Sequence, residues 1–152
     1  MKKITYLSLA IFSVILIVSV LLKNNLHSQD SLSGPHAIVG GQLIRLELAK
    51  TSQEQRQGLS GRSSLCSDCG MLFIFPTKRM QRFWMKNMNF SLDLIWLDGE
   101  KIVGLSRDLP PAGEAPAETY GADQPVDMVL EMKAGAIGRL NLNLGDKIIL
   151  KI

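Results

Sequence analysis

From residue 42 onward the chain alternates between apolar and polar side chains. Ile44, Leu46 and Leu48 alternate with Arg45 and Glu47, the period-two signature of a half-buried strand. Thr51-Ser-Gln-Glu54 then forms a capping box, in which the Thr hydroxyl and the Glu carboxylate satisfy orphan amides at a helix start. Gly58 is placed to end that helix after under two turns. Residues 71–75 form a continuous apolar run stopped by Pro76, and short strands are predicted over 82–86 and 91–97. Asp98-Gly99 offers the positive φ angles of a tight turn, so residues 101–105 are predicted to pair back on the preceding strand. Residues 108–120 hold three prolines and read as a long surface loop. Val126, Met128, Leu130 and Met132 then alternate with Asp127 and Glu131, and Gly145-Asp146 leads into a last strand over 147–152. Six or seven short strands and one short helix predict a mainly β fold, a small sandwich or closed barrel.

The N-terminal pattern is different. Lys2 and Lys3 precede an uncharged run over residues 4–22, which ends at Lys23. At about 1.5 Å per residue such a helix reaches roughly 28 Å, close to the thickness of a bilayer core. The residues after it show no small-x-small cleavage site nearby, which favours an uncleaved anchor over a cleaved signal peptide. Lys2 and Lys3 against Lys23 place the N-terminus in the cytoplasm. The expected organisation is an anchor or signal segment over 1–23, a flexible spacer over 24–41 and a β domain over 42–152. The protein is then expected in the cell membrane, single-pass, with the domain periplasmic or extracellular, or secreted if the leader is cleaved.

Charge narrows the choice of partners. The 152-residue chain carries 17 basic and 14 acidic residues, and without Lys2, Lys3 and Lys23 the balance is 14 to 14. A nucleic-acid partner is not expected, because binding one needs a cationic excess that displaces counterions.

The two cysteines stand in Cys66-Ser-Asp-Cys69. Outside the cytoplasm an even count favours a disulfide. A redox role would need support for a thiolate, such as a helix N-terminus, but Gly70 and a strand follow. Zinc would need further ligands, and both histidines, His27 and His36, lie in or beside the spacer. No metal and no cofactor are therefore expected, and no glycine-rich nucleotide loop occurs.

Several blocks in this order resemble the DUF192 family, also called UPF0127. They are Gly58-Leu-Ser-Gly-Arg62, Gly70-Met-Leu-Phe-Ile-Phe75, Phe83-Trp-Met-Lys-Asn87 with Leu92-Asp93, and later Tyr120, Val129-Leu-Glu131, Gly135 and Gly145-Asp146. The resemblance implies a compact β domain behind a signal or anchor, in a family without an established activity. The cysteines lie where such proteins are usually polar, so any cysteine chemistry would belong to this chain.

Two constellations carry candidate chemistry. Lys78, Arg79, Arg82 and Lys86 occur in a stretch without acid, whereas residues 108–132 hold six acids and no base. These read as patches facing each other or solvent, or as a basic rim beside an acidic flap over a groove. In an extended 82–86 segment, Phe83 and Met85 point to the core and Trp84 points outward among cations. Trp84 then either packs under Arg82 or Arg79 or stacks on a ligand. Arg62, Trp84, Lys86, Asn87 and Asp93 are the candidate ligand-contacting group, with Asp93 orienting Lys86. The alternative keeps Lys86–Asp93 as an internal salt bridge and Asn87 as a turn residue. The expected function is a membrane-tethered module binding a small polar or glycan ligand, any protein partner being unspecified. The alternative is an envelope enzyme acting on glycan or peptide through Asp93 or Glu131.

Overall fold

The computed structural model describes Ser19 and residues 34–152. The 4–22 run, apart from Ser19, and the spacer up to residue 33 lie outside the described residues. Among the described residues no helix is long and apolar enough to cross a membrane.

Seven strands form one sheet in the order β5-β4-β6-β3-β2-β1-β7. In chain order they are β1 (His36–Val39), β2 (Gln42–Ala49), β3 (Cys69–Arg79), β4 (Leu92–Asp98), β5 (Lys101–Leu109), β6 (Val126–Lys133) and β7 (Ile149–Lys151). Helix α1 (Ser52–Gln57) follows β2, and α2 (Ala136–Arg139) follows β6. Among the described residues only β2 and β3 pair in parallel, Arg45 opposite Cys69 and Leu48 opposite Leu72, so the chain between them makes a crossover through α1.

The sheet curls until its edges approach at one corner. Lys101 forms a bridge with Lys147, Ile102 N–H donates to Asp146 O, and Ile148 N–H donates to Glu100 O. The result is a half-barrel of one sheet rather than the sandwich or closed barrel expected from strand count. Residues 34–152 hold two short helices rather than one.

Both sheet faces are buried. Inside the curl, Ile44, Leu46, Leu72, Ile95, Leu97 and Leu130 pack with Ile137 of α2 and Leu142. On the outer face, Phe73, Leu94, Trp96 and Val129 are covered by loop residues, among them Leu59, Leu65, Met85 and Met88. Loops thus do the work that a second sheet would do in a sandwich. Double burial also explains why β3 and β4 read as apolar runs: residues 92–97 are all buried.

Local chemistry places α1 where the sequence predicts it. Thr51 Oγ1 accepts from Glu54 N–H at 3.2 Å, and Glu54 Oε2 accepts from Thr51 N–H at 2.8 Å. Two expectations are corrected. The sheet begins at His36, inside the stretch read as spacer, because β1 pairs with both β2 and β7. Residues 82–86 make a single bridge, Phe83 with Tyr120, instead of a strand, and Lys86 already belongs to a turn.

Candidate functional site

A cavity of about 300 Å³ opens on the outer sheet face between α1, its C-cap, the end of β3 and residues 81–84. Its aromatic side is preorganised by edge-to-face contacts. The Phe83 ring stands 4.9 Å from Phe73 and 5.5 Å from Trp96, nearly perpendicular to both. Trp84 lines the same cavity and is half exposed. Gln57, Gln81 and Arg82 supply polar groups near it.

Glu131 of β6 also lines the cavity. Its Cα partners on the flanking strands are Met71 and Leu94, so apolar neighbours sit on both sides. It is 5% exposed, and its Oε2 has no hydrogen-bond partner among the described residues. Burial pushes its pKa from 4.5 up to about 8, against the opposing pull of the Arg62 charge. A neutral carboxyl facing a cavity can donate one hydrogen bond and accept others. Glu131 is the single acidic residue among those lining the cavity.

The sequence-predicted site residues divide. Trp84 alone of the five lines the cavity. Lys86 Nζ stands 5.8 Å from the centre of the Trp84 ring, so the cation over Trp84 is Lys86, not Arg82 or Arg79. Arg62 forms a bidentate pair with Glu47 at 2.5 and 2.7 Å, which holds the Glu47 carboxyl below its ordinary range. Asn87 takes a left-handed conformation (φ 52°), donates its N–H to Gly113 O at 2.7 Å, and its carbonyl accepts from Gly61 N–H at 2.8 Å.

Asp93 lies apart from this group. It alternates with Ile95 and Leu97 toward the inside of the curl and is 1% exposed. Oδ1 accepts from Asp108 N–H and Oδ2 from Ile137 N–H, each at 2.8 Å. Both oxygens are therefore spent on joining β5 and α2 to β4, and no Lys86–Asp93 ion pair is formed.

A disulfide joins Cys66, in the loop before β3, to Cys69, the first residue of β3, with Cα atoms 5.2 Å apart. Sequence reasoning missed the cavity's aromatic floor and the burial of Glu131. Glu131 was named as a candidate from its residue type alone, because the loops that bury its face carry no periodic signal.

Comparison with known proteins agrees with the sequence blocks. The model of DUF192, described as "Uncharacterized ACR", matches residues 36–150. No curated protein matches the chain. Two crystal structures are similar. One is a provisionally assigned transcription regulator from Sinorhizobium meliloti 1021, with 30% identity and a TM-score of 0.68, covering 76% of this chain and 91% of that one. The other is a protein of unknown function from Novosphingobium aromaticivorans DSM 12444, with 32% identity and a TM-score of 0.68, covering 75% of this chain and 82% of that one. The sequence blocks fall inside the matched span of residues 36–150, and the chain belongs to the DUF192 family.

Proposed function

We propose that this domain is a binding module that takes a small, neutral, sugar-sized ligand in the cavity above Glu131. The observation that carries the reading is the Glu131 Oε2, buried and unpartnered at an aromatic-walled cavity. An unmet buried polar atom costs about 1–3 kcal/mol, which a ligand hydrogen bond would recover. The ligand's apolar face would lie against Phe83 and Trp84, and its hydroxyls would reach Gln57, Gln81 and Arg82. Lys86 would hold the Trp84 ring at the rim, Asn87 would set the turn behind it, and Arg62 would tune Glu131 electrostatically.

The run over residues 4–22 supports a membrane tether, with the domain on the extracytoplasmic side. Intact-mass measurement of the mature N-terminus tests that part, and a start downstream of Leu22 would remove it.

One observation favours an enzyme instead: the raised pKa suits Glu131 to general-acid work. Glycoside hydrolysis of the common kind needs a second carboxylate across the bond. None lines this cavity, so binding is the better reading. The name of the Sinorhizobium neighbour would point toward DNA, but a 14-to-14 charge balance supplies no cationic excess for it.

A thermal-melt screen of full-length protein against neutral mono- and disaccharides tests the binding reading. A ligand should raise Tm in the wild type and leave Glu131→Ala and Trp84→Ala unmoved. Equal shifts in all three proteins would place binding elsewhere.

A further inference from the structure

The disulfide loop before β3 is built in a way that a structural staple does not require. Its ring spans a sequence separation of three, so the bond removes little freedom from the unfolded chain. Other contacts hold the loop. Arg45 N–H donates to Asp68 O at 2.9 Å, Arg45 Nη2 meets Asp68 Oδ2 at 2.9 Å, and Arg139 Nη2 donates to Ser67 O at 2.6 Å. Anchoring of the loop therefore does not rest on the disulfide alone.

Its surroundings also suit a released thiolate. Cys66 is exposed and Cys69 half-buried. Arg45 Nη2 lies 3.6 Å from each sulfur while it also pairs with Asp68, whose carboxylate lies within 4.8 Å of both; Arg139, bound to the neutral Gln42 Oε1 and Ser67 O of the same loop, adds a second cation that Asp68 does not offset. Reactive cysteines are partly exposed and have a cation in reach of the sulfur, and Arg45 meets that requirement here although it is shared with Asp68. The support absent from the sequence is a helix N-terminus; the structure substitutes an arginine placed by strand pairing, Arg45 opposite Cys69.

We propose that Cys66–Cys69 is a thiol–disulfide exchange site that oxidises dithiol peptides or proteins, with Arg45 holding the thiolate it releases. A partner thiolate attacks the exposed Cys66 Sγ. The Cys66–Cys69 bond breaks, Cys69 leaves as a thiolate beside Arg45, and a mixed disulfide joins Cys66 to the partner. The partner's second thiolate then attacks its own sulfur in that bond and displaces Cys66. The partner is oxidised to a disulfide, and its two electrons remain on the Cys66/Cys69 pair, which takes up protons to the extent that its thiolates protonate. A proximal carboxylate makes the reduced pair with Asp68 a three-atom cation cluster on geometry alone. Arg45 occupies its approach and disfavours a metal. The site is independent of the cavity reading.

The test equilibrates full-length protein with graded glutathione ratios and counts thiols by alkylation and mass spectrometry. The pair should become reduced at a ratio that leaves a structural-disulfide standard oxidised. Arg45→Gln should need an about tenfold more reducing ratio, equivalent to about 30 mV for a two-electron couple, while Arg45→Lys stays near wild type. Mixed with a reduced Cys-x-x-Cys peptide, wild type should oxidise one peptide per chain. A pair that resists reduction like the standard, an unshifted Arg45→Gln, or zinc retained stoichiometrically by the reduced protein would each overturn the proposal.

Discussion

Gly58 lies directly against Glu131. A Cβ at Gly58 would stand 3.8 Å from Glu131 Oε2 and 3.3 Å from the Phe73 ring, at a backbone with φ 49° and ψ −135°. The residue that ends α1 is thus also a wall of the cavity.

Gly58→Ala should therefore act twice. Forcing a side chain into that backbone region costs about 1–3 kcal/mol, and the new methyl should narrow the cavity beside Glu131. Urea unfolding reads the first effect, and the ligand-induced Tm shift reads the second. A variant as stable as wild type, with an unchanged shift, would separate Gly58 from both roles.

Glu131 makes stability depend on pH. Its folded pKa of about 8 lies above the ordinary 4.5, so the folded state binds the proton more tightly. Stability from this group is full below 4.5 and is lost as pH rises toward 8, on the order of a few kcal/mol in all. Glu131→Gln, which stays neutral, should lack that decline and exceed the wild type above pH 8. Denaturant unfolding at acid, neutral and alkaline pH checks the sign.

Arg62→Ala should cost little stability, about 0–1 kcal/mol, because its pair with Glu47 is well exposed. The Arg62 charge opposes the upward shift of Glu131, so its removal should move the Glu131 titration to still higher pH. Carbon-detected NMR of the Glu131 carboxyl reads this shift. An unmoved titration would mean that Arg62 does not act on the cavity.

Asp93→Ala should destabilise strongly, by about 2–4 kcal/mol, since two backbone amides lose their acceptor in a buried site. Trp84→Ala should cost under about 1 kcal/mol, for its ring is half exposed and its main partner is Lys86. Chemical denaturation ranks the two directly. The opposite order would contradict the structural role of Asp93.

How legible this fold was depends on where the information sits. The capping box of α1 and the β4–β5 hairpin are local, so Thr51, Glu54 and Gly99 announce them. β1 is four residues long behind a Gly-Pro step, and its partners β2 and β7 include one more than a hundred positions away. No local pattern marks such a strand. The alternation around Phe83, Trp84 and Met85 correctly predicts the sides they take, with Met85 buried, Phe83 partly buried and Trp84 half exposed, although only Phe83 forms a β-bridge. The burial of Glu131 was hidden for a different reason. Its strand alternates as though one face were wet, and isolated loop residues such as Leu59 and Met88 cover that face without any period.

The most direct test of the cavity is tryptophan fluorescence of full-length protein titrated with neutral mono- and disaccharides. Of the two tryptophans, Trp96 is fully buried and Trp84 half exposed, so a ligand stacking in the cavity should report through Trp84. The account predicts a saturable emission change near pH 6 that weakens above pH 8 as Glu131 ionises, and that disappears in Glu131→Ala. No change with any saccharide, or an equal change in Glu131→Ala, would contradict it.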